Sequence, residues 1–499
     1  MSAALSTRQR GLLVTALLLI LLIRVLSLGA YPLTDTTEAR YGEMVRKMVE
    51  LGDWVTPWFD YGVPFWGKPP LAFWLSAVSA KVLGVSEFSL RLPSFLLGVG
   101  MLALIGSLAR RQRSEEQAWI AMLVLASTVV FFVSAGAVLT DTTLAFTTAL
   151  AMVAFWRGVA SEGQAAPVWR YVFFIALGLG LLAKGPVSLA LVGAPILAWT
   201  LICGELWRAV RTLPWPTGIA LTALIALPWY VIAEQHTPGF LSYFLVGENF
   251  LRFVDSTWPG DLYGGVHTRP KGYIWLLWMG AAFPWSVLLL WHVMRLSLRR
   301  GRGAVNSDPY SPDTRSWRIY VLCFTLSPCV FFTFAGSVLP TYVLPGMPAL
   351  ALYAAEFWPT RNPQRDARRA ALTAIALPVL FAIAVPFLDT RIAADKSQRD
   401  LLEHLPSGAS VIYYPKRPFS AQYYSQGRAL VAGDEKRLEA LLGEKSDSYL
   451  ATRADLGLPT NVASHYVPIA QVGRRKPFVL WAQHADQVRI DSDAPVPSP

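Results

Sequence analysis

Eleven apolar runs, each near the length of a membrane-crossing helix, follow one another at residues 11–27, 89–109, 117–137, 139–157, 171–184, 186–203, 217–233, 273–296, 317–335, 341–357 and 369–388. A bilayer core about 30 Å thick calls for ~20 apolar residues per crossing. Inside it, backbone polar groups can be satisfied only in helices or closed barrels. The chain is therefore expected to be a mostly α, polytopic membrane protein. With 54% hydrophobic and 15% charged residues among 499, and a mean hydropathy of +0.40, it is too apolar for a soluble domain of this size.

The net charge of +11 would suggest nucleic acid in a soluble protein. Here the basic residues instead fall in short clusters between apolar runs, which is how membrane topology is set, so no nucleic-acid partner is expected. With eleven crossings, Arg8 and Arg10, Arg110 to Arg113, Arg157 and Arg170, Arg208 and Arg211, Arg295 to Arg302, and Arg361 to Arg369 all lie on one side, the cytoplasmic one. Gly11–Ser27 reads as a retained helix rather than a cleaved signal, because SLGAYP is a poor cleavage site. Leu71 to Gly84 is a shorter apolar stretch whose lone crossing would invert the next basic cluster. It is expected to be re-entrant or interfacial, and thirteen is the next count. Cys203, Cys323 and Cys329 sit in or beside apolar runs without metal-ligand spacing.

The long first outer loop, 30–88, holds carboxylates, cations, aromatics and the rigid Pro69-Pro70 pair just after the first helix, the makeup of an active-site loop at a membrane surface. A second large outer loop covers 234–272, and the helical domain ends at 388. From 389 to 490 the pattern changes to strand-length runs at 410–415, 429–433, 448–452 and 478–482, with a charged helical stretch at 434–442. That alternation predicts a small α/β domain, on the outer face by topology. Residues 491–499, rich in Pro and Ser, read as a disordered tail.

The outer loops gather Asp35, Glu38, Arg40, Glu43 and Lys68 in the first, Asp141 in the second and Lys184 in the third. His236, Glu248, Arg252, His267, Arg269 and Lys271 stand in the fourth, and Thr341 with Tyr342 in the fifth. Acids for proton or metal work and cations for an anionic group thus share one face. Asp141 and Lys184 stand nearly alone in apolar stretches, where an idle charge is costly. Trp54, Trp58, Phe59, Tyr61, Phe65 and Trp66 would sit at headgroup level, anchoring the loop or lining a sugar site.

The ordered series EARY, GKPP-LAFW, LTDTTLAF, GLLAKGP, ENFLRF with HTRP, and LPTYVLP, from about residue 30 to 350, resembles the polyprenyl-phosphate-sugar-dependent glycosyltransferases of the GT-C fold. The series is most similar to the aminoarabinose transferases that modify lipid A, and more distantly to the protein O-mannosyltransferases. The resemblance implies catalysis by Asp141 with Glu38 or Asp35. It implies binding of the carrier phosphate and donor by Lys68, Arg40 and Tyr342, a task that Arg269 and Lys184 on the same face also suit by their charge. Three positions depart from the pattern. The usual Asp-Glu pair is Thr37-Glu38; the acid that often precedes the lysine is Gly67, which puts a divalent metal beside His267 in doubt; and Val338 replaces a lysine.

On this resemblance a sugar would pass, with inversion, from undecaprenyl phosphate to an acceptor at the outer face of a bacterial inner membrane, lipid A for the aminoarabinose branch. The enzyme would stabilise the leaving phosphate and position the acceptor. A protein or another glycan as acceptor, or a flippase of lipid-linked sugars, are the alternatives. Transporters place ionisable groups at mid-membrane in broken helices, whereas these charges cluster in outer loops.

Overall fold

The computed structural model describes residues 5–160, 166–255, 258–264, 269–300, 312–358, 363–406, 408–445 and 448–483. Helices occupy all eleven apolar runs. α1 (Thr7–Leu26) and α2 (Thr37–Leu51) precede a hairpin of β1 (Trp58–Asp60) and β2 (Val63–Pro64). α3 (Leu71–Leu83), α4 (Glu87–Gln112), α5 (Glu115–Ser127), α6 (Val129–Ser134) and α7 (Thr140–Phe155) follow. Then come α8 (Ala166–Lys184), α9 (Val187–Cys203), the short α10 (Leu206–Thr212), α11 (Trp215–His236), a π-helical stretch at Ser242–Leu251 and the single turn α12 (Arg252–Val254). α13 (Tyr273–Ala281), α14 (Trp285–Arg300), α15 (Pro312–Phe332), a 3-10 stretch at Pro340–Gly346, α16 (Met347–Glu356) and α17 (Pro363–Phe387) complete the helical part.

Among the described residues, six helices are long and apolar enough to cross a membrane, or seven if α13 and Trp285–Trp291, bent by 107°, make one span. The shortfall from eleven runs has local causes. The run at 117–137 breaks at Thr128, and the N–H of Val129 donates instead to the carbonyl of Phe283 (3.1 Å), where α13 turns into α14. The run at 341–357 opens in 3-10 form, with Pro340 and Pro345 inside it, and α9 is only 17 residues long. α3, 13 residues long, packs against α2 and α4. The basic clusters meet at one end of the bundle: Arg10 pairs with Glu115 (2.9 Å), and Glu356 takes Arg113 (2.6 Å) and Arg318 (3.1 Å).

Among the candidate spans α7 is the most enclosed: 78% of its apolar window is buried. Close approach follows from small residues, since the Cβ positions of Gly100 and Gly218 lie within 2.9 Å and 2.2 Å of the rings of Phe146 and Phe174. At the other end of the bundle Arg91, fully buried on α4, uses all five guanidinium N–H donors. It donates to both oxygens of Glu38 (2.8 and 2.9 Å) and to the carbonyls of Leu28, Tyr31 and Pro32 (2.7, 2.7 and 3.0 Å). Glu38 also accepts from the N–H of Val138 (3.2 Å). This ion pair ties the chain leaving α1, the start of α2, α4 and the approach to α7 into one body.

Past a π-helical turn at Leu388–Ile392 come α18 (Ala393–Lys396) and α19 (Arg399–Leu402). The rest is β3 (Ser410–Tyr414), α20 (Phe419–Tyr424), β4 (Ala429–Val431), α21 (Glu435–Glu444), β5 (Ser448–Arg453), β6 (Tyr466–Val472) and β7 (Phe478–Gln483). The sheet order is β4-β3-β5-β7-β6; β3 pairs parallel with β4 and β5, and β7 antiparallel with β5 and β6. The strands at 410–414, 429–431, 448–453 and 478–483 coincide with the expected runs. β6 is an addition: Pro468 argues against a strand, yet β6 lies at the sheet edge and is irregular between Pro468 and Ala470. The proposed tail at 491–499 lies outside the described residues.

Because Arg91 is buried with its charge matched only by Glu38, Glu38→Ala is expected to cost about 3–5 kcal/mol. The double variant Glu38→Leu/Arg91→Leu should recover much of that. Thermal unfolding of the purified protein in detergent measures both, and a Glu38→Ala variant as stable as wild type would be inconsistent with this clasp.

Candidate active site

A cavity of about 700 Å³ opens between the first loop, α6, the start of α7, the end of α8, the π-helical stretch and the 3-10 stretch. Its wall carries Arg40, Lys68, Lys184 and Arg252 against two carboxylates, Asp141 and Glu248, so cations are in excess. Thr36, Thr37, Tyr41, Phe65, Tyr263, Tyr342 and Phe419 line it as well.

Each charged group is placed by a local device. Asp141 lies in the first turn of α7, where the helix dipole favours an anion, and Lys184 closes the last turn of α8, where it favours a cation. The two meet at 2.6 Å, and the Lys184 ammonium also stands 4.6 Å from the centre of the Tyr342 ring. α8 stops there because Gly185 takes φ +79°, and a Cβ on it would come within 2.5 Å of Phe244. Lys68, just ahead of the Pro69-Pro70 pair that starts α3, donates to Glu248 (2.5 Å). Glu248 in turn accepts from Arg252 (2.8 Å), and Asp261 stands 3.5 Å from the same guanidinium. Burial would raise the Glu248 carboxyl, but Lys68 and Arg252 beside it hold it below the ordinary carboxylate range.

Arg40 differs from the others. Its guanidinium packs 5.3 to 5.8 Å from the rings of Tyr41, Phe65 and Phe419, and its buried Nε has no hydrogen-bond partner. No acid pairs with it among the described residues. A guanidinium held on aromatic faces with its N–H groups unspent is set to receive an anion from the cavity.

The structure thus brings Lys68, Arg40, Asp141, Lys184 and Tyr342 to one cavity. It does not bring Glu38, Asp35 or Arg269 there. Glu38 is consumed by Arg91, as above. Asp35 accepts from the N–H of Ser420 (3.0 Å) and from the Ser420 hydroxyl, tying the first loop to α20 of the C-terminal domain. The N-cap of α2 is Thr36, without a side-chain bond. Arg269 is exposed, 5.1 Å from the Tyr273 ring. His267 lies outside the described residues. Of Trp54, Trp58, Phe59, Tyr61, Phe65 and Trp66 only Phe65 lines the cavity; Lys47 donates to Phe59 O (2.7 Å) and Arg46 to Tyr61 (2.8 Å), which pins the hairpin to α2.

Glu248 and Arg252 carry more of the site than their place among the outer-loop charges indicated. Their spacing of four within ENFLRF was the available signal, since it sets both on one face of a helical turn. Phe419 carried no such signal, because it reaches the cavity from the C-terminal domain. Gly67 offers no metal ligand, and among the described residues no three His, Cys, Asp or Glu side chains converge. A side chain at Gly67 would also have to displace Phe65, whose ring lies 2.8 Å from its Cβ position.

Fold and site together define a multi-pass membrane protein of the GT-C fold. Residues 4–244 match the dolichyl-phosphate-mannose-protein mannosyltransferase family. The chain is similar to the undecaprenyl phosphate-alpha-4-amino-4-deoxy-L-arabinose arabinosyl transferases of Edwardsiella ictaluri (29% identical; 69% of this chain, 58% of that one) and Serratia proteamaculans (28%; 67% and 57%). It therefore spans less than two thirds of the length of these curated relatives. Among solved structures, ArnT from Cupriavidus metallidurans bound to undecaprenyl phosphate superposes with a TM-score of 0.75 at 19% identity, over 94% of this chain and 98% of that one. The archaeal oligosaccharyltransferase AglB from Archaeoglobus fulgidus shares the fold more loosely, with a TM-score of 0.51 at 14% identity over 90% and 70%.

The buried Asp35 gives the contact between first loop and C-terminal domain a pH dependence. Burial raises its carboxyl from 3.8 to about 6, against the Ser420 hydrogen bonds that lower it. A folded value above the unfolded one contributes stability that is fully present below pH 3.8 and lost as pH rises through 6. Amide exchange at Ser420, corrected for its intrinsic pH dependence, is expected to be slower at pH 5 than at pH 7.5. Asp35→Asn should remove that difference.

Proposed function

We propose that this chain is a membrane glycosyltransferase that moves a sugar from undecaprenyl phosphate to lipid A, with a 4-amino-4-deoxy-L-arabinose type of donor, at the periplasmic face of the inner membrane. The observation that carries the reading is the junction of two spaces. A side groove of about 240 Å³ shares Lys68, Lys184, Glu248, Arg252 and Tyr342 with the main cavity and continues between Val187, Ala190, Phe253, Phe331, Phe332 and Ala335. A cation cluster at the mouth of an apolar slot suits a lipid phosphate whose headgroup enters the polar cavity and whose chain stays among helices. The similar undecaprenyl-phosphate-aminoarabinose transferases and the solved relative with its bound carrier agree with that chemistry.

In this reading Lys68 and Arg252 receive the charge that develops on the departing carrier phosphate. Glu248 holds the two cations in place, so little reorganisation is needed as the bond breaks. Tyr342 and Lys184 border the same junction. Asp141, fixed by Lys184, is the acid placed to orient or deprotonate the acceptor. Thr37 lines the cavity where a relative's acid would stand and cannot act as a carboxylate base. An acceptor that is already anionic, as a lipid A phosphate is, needs orientation more than deprotonation, and Arg40 is placed to supply it. Attack on the face opposite the leaving phosphate inverts the anomeric centre without a covalent intermediate.

Mass spectrometry of lipid A from cells with and without the protein, and transfer assays in proteoliposomes, test this. Lys68→Ala and Arg252→Ala are each expected to lower kcat by about 10²–10³-fold, the cost of losing one preorganised charge stabiliser. Unchanged lipid A in both strains, or full transfer by Lys68→Ala, would overturn it.

A further inference from the structure

We propose that the turn between β6 and β7 is a docking surface for anionic phospholipid headgroups, at the interface where α1 and α17 emerge from the membrane. The turn carries Arg474, Arg475 and Lys476, all exposed, and none of the three forms a salt bridge among the described residues. Three adjacent cations on a hairpin are ordinarily a solvated loop. Their anchorage sets these apart.

The last apolar span runs through Arg391, and Asp395 follows four residues on. The N–H groups of Arg474 and Arg475 both donate to Asp395 Oδ1, at 2.5 and 3.1 Å. Gly473, at φ +99°, turns those two amides toward one carboxylate, and its Cβ position lies 3.4 Å from the Ala394 carbonyl. The tip of the hairpin is thereby pinned to the first residues beyond the membrane helix. α1 packs alongside α17. The segment past its end joins the same place, since the N–H of Asp35 donates to the Lys396 carbonyl (2.7 Å). Arg391 and Lys396, also exposed, add two cations there. Asp395 is spent on the two amides, and Asp389 and Asp400 on Arg399.

Five basic side chains thus stand at headgroup height with their nearby acids engaged. Each Lys or Arg near an anionic leaflet contributes about 1 kcal/mol, roughly fivefold in binding, and the attraction fades beyond a Debye length. A soluble acidic protein would have no need of the anchorage to the membrane exit.

The test requires no sugar donor, so it stands or falls apart from the transferase reading. The full chain is reconstituted in phosphatidylcholine bilayers with spin-labelled phosphatidylglycerol or phosphatidylcholine, and the immobilised fraction gives its preference for the anionic lipid. Replacing Arg474, Arg475 and Lys476 with Ala together is expected to lower that preference by at least about fivefold, the loss of one effective contact. Arg474→Lys with Arg475→Lys should preserve it, and salt near 1 M should weaken it in the wild type. Lys436→Ala with Arg437→Ala, on α21 near the opposite edge of the sheet, should leave it unchanged. An unaltered preference in the triple variant, or an equal fall in the α21 variant, would overturn the proposal.

Discussion

A guanidinium with no water around it can persist only if its charge and all five donors are satisfied. Arg91 meets that condition by drawing Glu38, three carbonyls of the chain leaving α1 and, through Glu38, the approach to α7 onto one point of α4. The direction of α2 follows. With Glu38 turned to Arg91, the neighbouring Thr36, Thr37 and Arg40 are left on the cavity wall. The chemistry of the first loop is in this sense set by a residue that touches none of the cavity.

Within the cavity the charges are paired with one exception, and the pairing decides what each can do. Glu248 is bridged by Lys68 and Arg252, which makes it an anchor for two cations and a weak proton acceptor. Asp141 and Lys184 sit at helix ends whose dipoles favour their signs, so an ion pair in an apolar setting is tolerable there. Arg40 alone faces the cavity without a carboxylate among the described residues. Its desolvation is offset by three aromatic rings, one of them the Phe419 ring of the C-terminal domain. That domain is therefore part of the cavity wall, held by Asp35 to Ser420, by Tyr424 between Leu33 N (2.7 Å) and Glu87 (2.8 Å), and by Arg417 to Asp60 (2.6 Å).

The helical membrane class, the change of pattern near residue 389 and four of the five strands of the C-terminal sheet were legible in the sequence. Each of these depends on the period and length of apolar runs, which are local properties. Asp141 and Lys184 were legible too, as charges nearly alone in apolar stretches where an idle charge is costly, whereas Lys68 and Tyr342 were marked by the resemblance of GKPP and LPTYVLP to a known family. Breaks inside the runs, as at Thr128, were not, because the partner that receives Val129 N–H is Phe283, some 150 residues away.

What the tertiary structure alone decided is which acids are spent and which remain. Asp35, Glu38, Asp141 and Glu248 all read in the sequence as carboxylates of the outer loops. Their fates depend on the cation each one meets or fails to meet: Arg91 for Glu38, Lys184 for Asp141, Lys68 with Arg252 for Glu248, and for Asp35 no cation but the amide and hydroxyl of Ser420. Electrostatic pairing acts across space with no sequence period. The apolar pattern could therefore specify a membrane fold and a charged face, while the assignment of roles on that face waited for the packing of α4, the π-helical stretch and α20 around the first loop.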